Sequence, residues 1–251
     1  MRTPWPDDFP PVFVHVPWRS NNPTQPPGLW DHPLYTPAKN LRDATAAIQL
    51  IDDIARDDVI EDIVSSVFYY GRGNEPIVIA PSPDLSEARN ALAITYAEWL
   101  ALELECTTEE RVFQSKNVPR TELGAWARMA HDVEFYGEIS DGADYIVVDD
   151  VMTLGGTLAD LKGFIEHNGG RVICMSVLAR GSGTNSRIAL DSHTLAMIEY
   201  KFGNDIHDFC RNALGHETNC LTLPEAERLL ECASIDSARA HLSRERDARN
   251  P

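Results

Sequence analysis

Asp149 and Asp150 stand side by side at the end of the apolar run Tyr145-Ile146-Val147-Val148. Thr153, Leu154, Gly155, Gly156 and Thr157 follow within one short turn. Two adjacent carboxylates can accept hydrogen bonds from neighbouring sugar hydroxyls. A Thr/Gly-rich turn that opens a helix offers free backbone N–H groups at the positive end of a helix dipole, which is what a phosphate needs. The stretch YIVVDDVMTLGGT therefore suits a sugar phosphate: amides for the phosphate, carboxylates for the ribose. Taken singly, the acids read as an ordinary strand end and the glycines as a generic βα turn with Thr157 as its N-cap. Their occurrence together, in strand–turn–helix order, favours the functional reading.

This stretch resembles the 5-phosphoribosyl-1-pyrophosphate (PRPP) signature of the type I phosphoribosyltransferases. That signature is a hydrophobic strand, two acids, a few variable residues and a Thr/Gly-rich turn. Val147, Val148, Asp149, Asp150, Thr153, Gly155, Gly156 and Thr157 fit it, and Leu154 departs from it. The resemblance implies Mg2+-dependent transfer of a phosphoribosyl group from PRPP to a nitrogen acceptor, a small-molecule base, with pyrophosphate released. It implies Asp149 and Asp150 as the catalytic and Mg2+-binding carboxylates, and the stretch from Thr153 through Leu154, Gly155 and Gly156 to Thr157 as the 5′-phosphate site. It also implies a possible homodimer.

The family's pyrophosphate loop falls at Pro81 to Glu87, which is Pro/Ser/Asp-rich here rather than Gly-rich. Ser82, Ser86 and Arg89 could still donate to pyrophosphate, and a plain capped helix start is an equal reading. The family's closing loop points to residues 114–143, where Lys116, Arg120, Arg128 and His131 are the available cations and Lys116 ranks first. Each of them, taken alone, also reads as a solvated surface charge. Trp18, Trp30, Tyr35 and His15, or Phe202 and His207, could cover a flat base, although packing of the arm against the domain is the better reading of these aromatics. Two further function classes stay open on the same fold: a non-catalytic PRPP or nucleotide sensor, and a nucleotide N-glycosidic hydrolase.

The elements that must carry this motif read as α/β, a mostly parallel five-stranded sheet with helices on both faces. Ile77 to Ala80, 145–149 and 172–178 are buried strands, and the helix from Thr157 turns Leu158, Leu161 and Ile165 inward. Asn40 is a plausible N-cap for a helix with Leu41, Ala44, Ile48, Ile51 and Ala55 on one face. A second helix carries Val59, Ile60, Ile63, Val64, Val67 and Phe68 and ends near Gly71. A third runs to about Leu104, capped by Asp84 or Ser86, with Ala88, Ala91, Leu92, Trp99 and Leu102 on one face. Residues 114–143 read as polar, with one short helix around 122–130. Thr222 and Glu225 form a capping box, and a charged helix closes the chain at about 236–248. Residues 1–39 read as an arm, with 12–16 as an edge strand, and 40–251 as one domain with a helical C-terminus.

The chain has 251 residues, 43% of them hydrophobic, enough for one large core. Its formal charge of −17 disfavours nucleic acid and acidic membrane surfaces as partners. The five cysteines are scattered without a CxxC, which favours reduced cytoplasmic thiols. No signal peptide and no membrane-spanning run is read.

Overall fold

The computed structural model describes residues 2–20, 27–83, 91–115, 123–131, 133–181 and 186–248. They form seven strands and ten α-helices. The strands are β1 (Phe13–Pro17), β2 (Ile77–Ile79), β3 (Thr107–Thr108), β4 (Val112–Gln114), β5 (Phe135–Gly137), β6 (Asp144–Met152) and β7 (Arg171–Arg180). The helices are α1 (Tyr35–Lys39), α2 (Ala44–Ile54), α3 (Asp57–Tyr70), α4 (Ala91–Glu103), α5 (Ala125–Ala130), α6 (Gly156–His167), α7 (Ser192–Phe202), α8 (Asp205–Phe209), α9 (Leu223–Leu230) and α10 (Ile235–Asp247).

The main sheet has the order β1-β7-β6-β2-β3, and every pairing in it is parallel. Parallel strands are buried on both faces, and β6 shows why its sequence runs apolar without a break. Ile146 and Val148 join one core cluster with α1, α2, α3 and α4, while Tyr145 and Val147 join another with α6. A third cluster, built from α5, α7, α8, α9 and α10, lies at the C-terminal side of the chain. The architecture is thus the expected α/β one, with helices on both faces and a helical C-terminus.

Several local boundaries differ from the sequence reading. Asp43, not Asn40, caps α2, because its carboxylate accepts from the N–H groups of Thr45 and Ala46 at 2.9 and 3.1 Å. The buried face of α2 is Ala46, Ala47, Leu50, Ile51 and Ile54, which leaves Leu41 and Ile48 exposed. Val64 and Phe68 of α3 and Leu102 of α4 also face solvent. The suggested caps Asp84 and Ser86 lie outside the described residues. The polar stretch after residue 114 holds a strand as well as a helix: β5 pairs with β4 as a separate antiparallel ribbon. Polar flanks hid the three-residue β5.

Candidate functional site

The strand carrying the acids is longer than its apolar run. β6 continues through both carboxylates to Met152, still paired with β7 through Val151–Ala179 and Met152–Arg180. On its other side the pairing with β2 stops at Ile79–Val147, so Ala80 to Pro83 leave the sheet beside the acids. This end of the sheet gathers Asp149, Asp150, the 153–157 turn, Ser82 and Arg180. Ser82 is held there by its carbonyl, which accepts from the Gln114 N–H at 2.7 Å.

Asp150 is buried and forms an ion pair with Lys39, the last residue of α1. Its Oδ1 also accepts the Val151 N–H at 2.9 Å. Asp149 is partly buried, and its Oδ1 accepts the Asp150 N–H at 2.8 Å. Burial pushes the Asp149 carboxyl well above the usual carboxylate range, and the charge of Asp150 adds to that. Burial acts on Asp150 in the same sense, but the charge and hydrogen bond of Lys39 outweigh it and hold Asp150 below its usual value. The two acids therefore differ: Asp150 is the ionised one, set against an ammonium, and Asp149 takes a proton more readily. The Tyr35 phenol, one turn before Lys39, is raised by burial and by the Asp150 charge.

The turn after β6 is shaped by glycine. Gly155 is the N-cap of α6, a role the sequence reading gave to Thr157, and it takes the left-handed conformation at φ 81°. A Cβ there would stand 2.7 Å from Ile188 Cδ1. The Ala159 N–H closes the first helical turn onto the Gly155 carbonyl at 2.9 Å. The N–H groups ahead of it lie outside the helical ladder, at the positive end of the dipole. A phosphate can be held by such a terminus.

The back of the turn is gripped by the C-terminal helices. Thr222 Oγ1 donates to the Leu154 carbonyl at 2.6 Å, and Leu154 packs against the third core cluster. Beside Gly156, Arg2 donates to Asp160 at 2.7 Å and to both oxygens of Glu225 at 2.5 and 3.0 Å, with all three side chains buried.

The structure thus brings Asp149, Asp150, Thr153, Leu154, Gly155, Gly156, Thr157 and Ser82 to one end of the sheet. Lys116 and Arg89 lie outside the described residues, as do Ser86 and Arg120. Arg128 is not an open lid cation: its Nε donates to the Leu123 carbonyl, and its helix α5 packs against α10. His15 is not part of a cover, because it is buried in β1 and hydrogen-bonded to Tyr96 at 2.8 Å. Trp18, Trp30 and Tyr35 pack on one another in tilted and edge-on contacts at 5.2–5.5 Å, which is arm packing. Sequence reasoning missed Lys39, Thr222 and Arg2 as neighbours of the site. The capping box at Thr222 was visible, but nothing in it announced a contact 68 positions away.

Asp149 and Asp150 are the two carboxylates that could hold a Mg2+ here, and the Lys39 ammonium already lies on Asp150. Among the described residues no group of three or more histidine, cysteine, aspartate or glutamate side chains is arranged to hold a metal ion.

The chain is 32% identical over 251 residues to Protein TraN of Escherichia coli, an alignment covering 98% of this chain and 52% of that protein. It is 30% identical over 168 residues to an uncharacterised protein of Haemophilus influenzae, covering 66% of this chain and 34% of that one. The chain therefore spans about half, and about a third, of the length of these curated relatives. Among solved structures it is similar to an adenine phosphoribosyltransferase from Thermoanaerobacter pseudethanolicus, with TM-score 0.34 and 22% identity, over 58% of this chain and 74% of that one. No family model matches the chain. Among the described residues no helix is long and apolar enough to cross a membrane.

Proposed function

We propose that this chain binds PRPP at the open end of β2 and β6 and transfers its phosphoribosyl group to a nitrogen of a small-molecule base. The observation that carries this reading is the juxtaposition of Asp149 and Asp150 with a left-handed glycine N-cap at the N-terminus of α6. The amides of Gly156 and Thr157 would hold the 5′-phosphate, with Thr153, Leu154 and Gly155 setting the turn. The acids would accept the ribose hydroxyls and favour the oxocarbenium-like sugar that forms as the C1–O bond to pyrophosphate breaks. The acceptor nitrogen then bonds to C1, and its proton leaves to solvent. Positioning and electrostatics do this work without a covalent intermediate.

Mg2+ enters this reading with the diphosphate of the ligand rather than in a carboxylate cage. Ser82, Arg89 and Lys116 are assigned to the pyrophosphate side. A cytoplasmic protein that takes small molecules, not nucleic acid or membrane, and that can pair as a homodimer belongs to the same proposal. A binding-only reading is favoured by one observation, the neutralisation of Asp150 by Lys39.

Titration of PRPP into the wild type and into Asp149→Asn/Asp150→Asn, with pyrophosphate release followed across a panel of bases, tests both readings. Binding that is lost in the variant, with release triggered by one base, supports transfer. Binding without release supports the sensor. Absence of binding to the wild type overturns the PRPP assignment.

A further inference from the structure

Lys39 is one of four lysines in a chain of net charge −17, and it reaches the acidic pair of the candidate site. It does not reach there from a loose surface. Its helix is locked by buried Tyr35 and Ala38, and the α1–α2 corner is closed by the N–H groups of Asn40 and Leu41 on the Thr36 carbonyl and of Asp43 on the Pro37 carbonyl. The Lys39 side chain is 19% exposed and its Asp150 partner 7% exposed, so water screens the pair little. A divalent ion entering here would have to displace a held ammonium or sit beside it, and either course carries a cost in repulsion or lost pairing that the same two carboxylates without Lys39 would not impose.

We propose that Lys39 is the resident counter-cation of the acidic pair, so that the site takes the ribose 5-phosphate part of its ligand without a protein-held divalent metal. The ammonium keeps Asp150 in place as an acceptor for the ribose hydroxyls. The ligand half of this inference rests on the sugar-phosphate reading above. The exclusion of metal does not.

The test uses Mn2+ alone first, followed by the loss of its free-ion paramagnetic resonance signal, in the wild type, Lys39→Gln, Lys39→Gln/Asp150→Asn and Lys39→Arg. Glutamine keeps a polar group against Asp150 if the loss of charge threatens folding, and circular dichroism checks that each variant is native. Lys39→Gln is expected to bind Mn2+ at least about tenfold more tightly than the wild type, with Lys39→Arg behaving like the wild type and the double variant losing the gain. Equal behaviour of the wild type and Lys39→Gln overturns the proposal.

Ribose 5-phosphate is then titrated in EDTA and in Mg2+. Wild-type affinity is expected to be the same in both, and Lys39→Gln to bind about tenfold more weakly in EDTA than in Mg2+. A wild type that needs Mg2+ overturns the proposal. Absence of ribose 5-phosphate binding throughout, beside the expected Mn2+ result, overturns the sugar-phosphate reading and leaves Lys39 as the counter-cation.

Discussion

Thr222 Oγ1 donates to the Leu154 carbonyl at 2.6 Å while accepting the Glu225 N–H at 3.2 Å, so one fully buried hydroxyl caps α9 and fastens the glycine turn of the candidate site. The turn does not hold itself. Its shape depends on a residue in the C-terminal helical layer, and this makes its stability and its ligand affinity move together.

Thr222→Val keeps the shape and removes both bonds. It is expected to cost roughly 1–3 kcal/mol in urea unfolding and to weaken ribose 5-phosphate binding, because a cap and a buried carbonyl lose their partner. Thr222→Ser keeps the hydroxyl and should lose little of either. Equal affinity in Thr222→Val and wild type would show that the turn keeps its shape without Thr222.

Gly155→Ala faces two separate obstacles. A left-handed φ of 81° costs an alanine about 1–2 kcal/mol, and its Cβ would press on Ile188 Cδ1 at 2.7 Å. Adding Ile188→Ala relieves only the second. The double variant should therefore show a double-mutant-cycle coupling in urea unfolding that favours the pair while remaining less stable than Ile188→Ala alone. Without that coupling, the contact with Ile188 is not what constrains the position.

His15 predicts a pH dependence. Burial, with the nearby Arg56 charge, lowers its pKa from 6.5 to about 4. Its Nδ1 accepts the Arg56 N–H at 3.1 Å, so the proton sits on Nε2, facing the Tyr96 hydroxyl at 2.8 Å. The native state holds a neutral ring, whereas the unfolded chain takes up a proton below 6.5. Stability from this group is thus complete above pH 6.5, falls as the pH drops toward 4 and levels off below. The loss is roughly 3 kcal/mol. Urea unfolding of wild type against His15→Gln between pH 7 and 4 should show that difference in slope, and parallel curves would contradict it.

Arg2 neutralises Asp160 and Glu225 inside the protein. Arg2→Met strands two buried carboxylates and is expected to cost about 3–5 kcal/mol. Arg2→Lys should recover little, since a single ammonium cannot reproduce the forked contact with Glu225. Asp160→Asn/Glu225→Gln in the Arg2→Met background should restore part of the loss, and the ranking of these midpoints in urea checks the account.

The parallel sheet and the motif were legible because both are written in contiguous residues. An unbroken apolar run marks a strand buried on two faces, and Gly155 marks a positive φ. The same rules misplaced the faces of α2 and α3. Ile48, Val64 and Phe68 sit at helical spacing with the core residues but point outward, and periodicity alone does not say which stripe meets the sheet. Lys39 was illegible for another reason. Its role arises where a five-residue helix meets a strand 111 positions later, and no local pattern encodes such a meeting. The short strand β5 carries too few residues for its alternation to stand out.

Arg2 meets Glu225 across 223 positions of chain, and Thr3 meets Glu166 across 163. Contacts of such separation carry a large loop-closure cost, whereas β6 and β7 pair across a single helix. The phosphate half of the site depends on Arg2, Thr222 and Glu225 converging on the turn from far along the chain. Without α9 the two aspartates stand beside an unfinished cradle, so phosphate binding is the first property a loosened layer of α7 to α10 would forfeit.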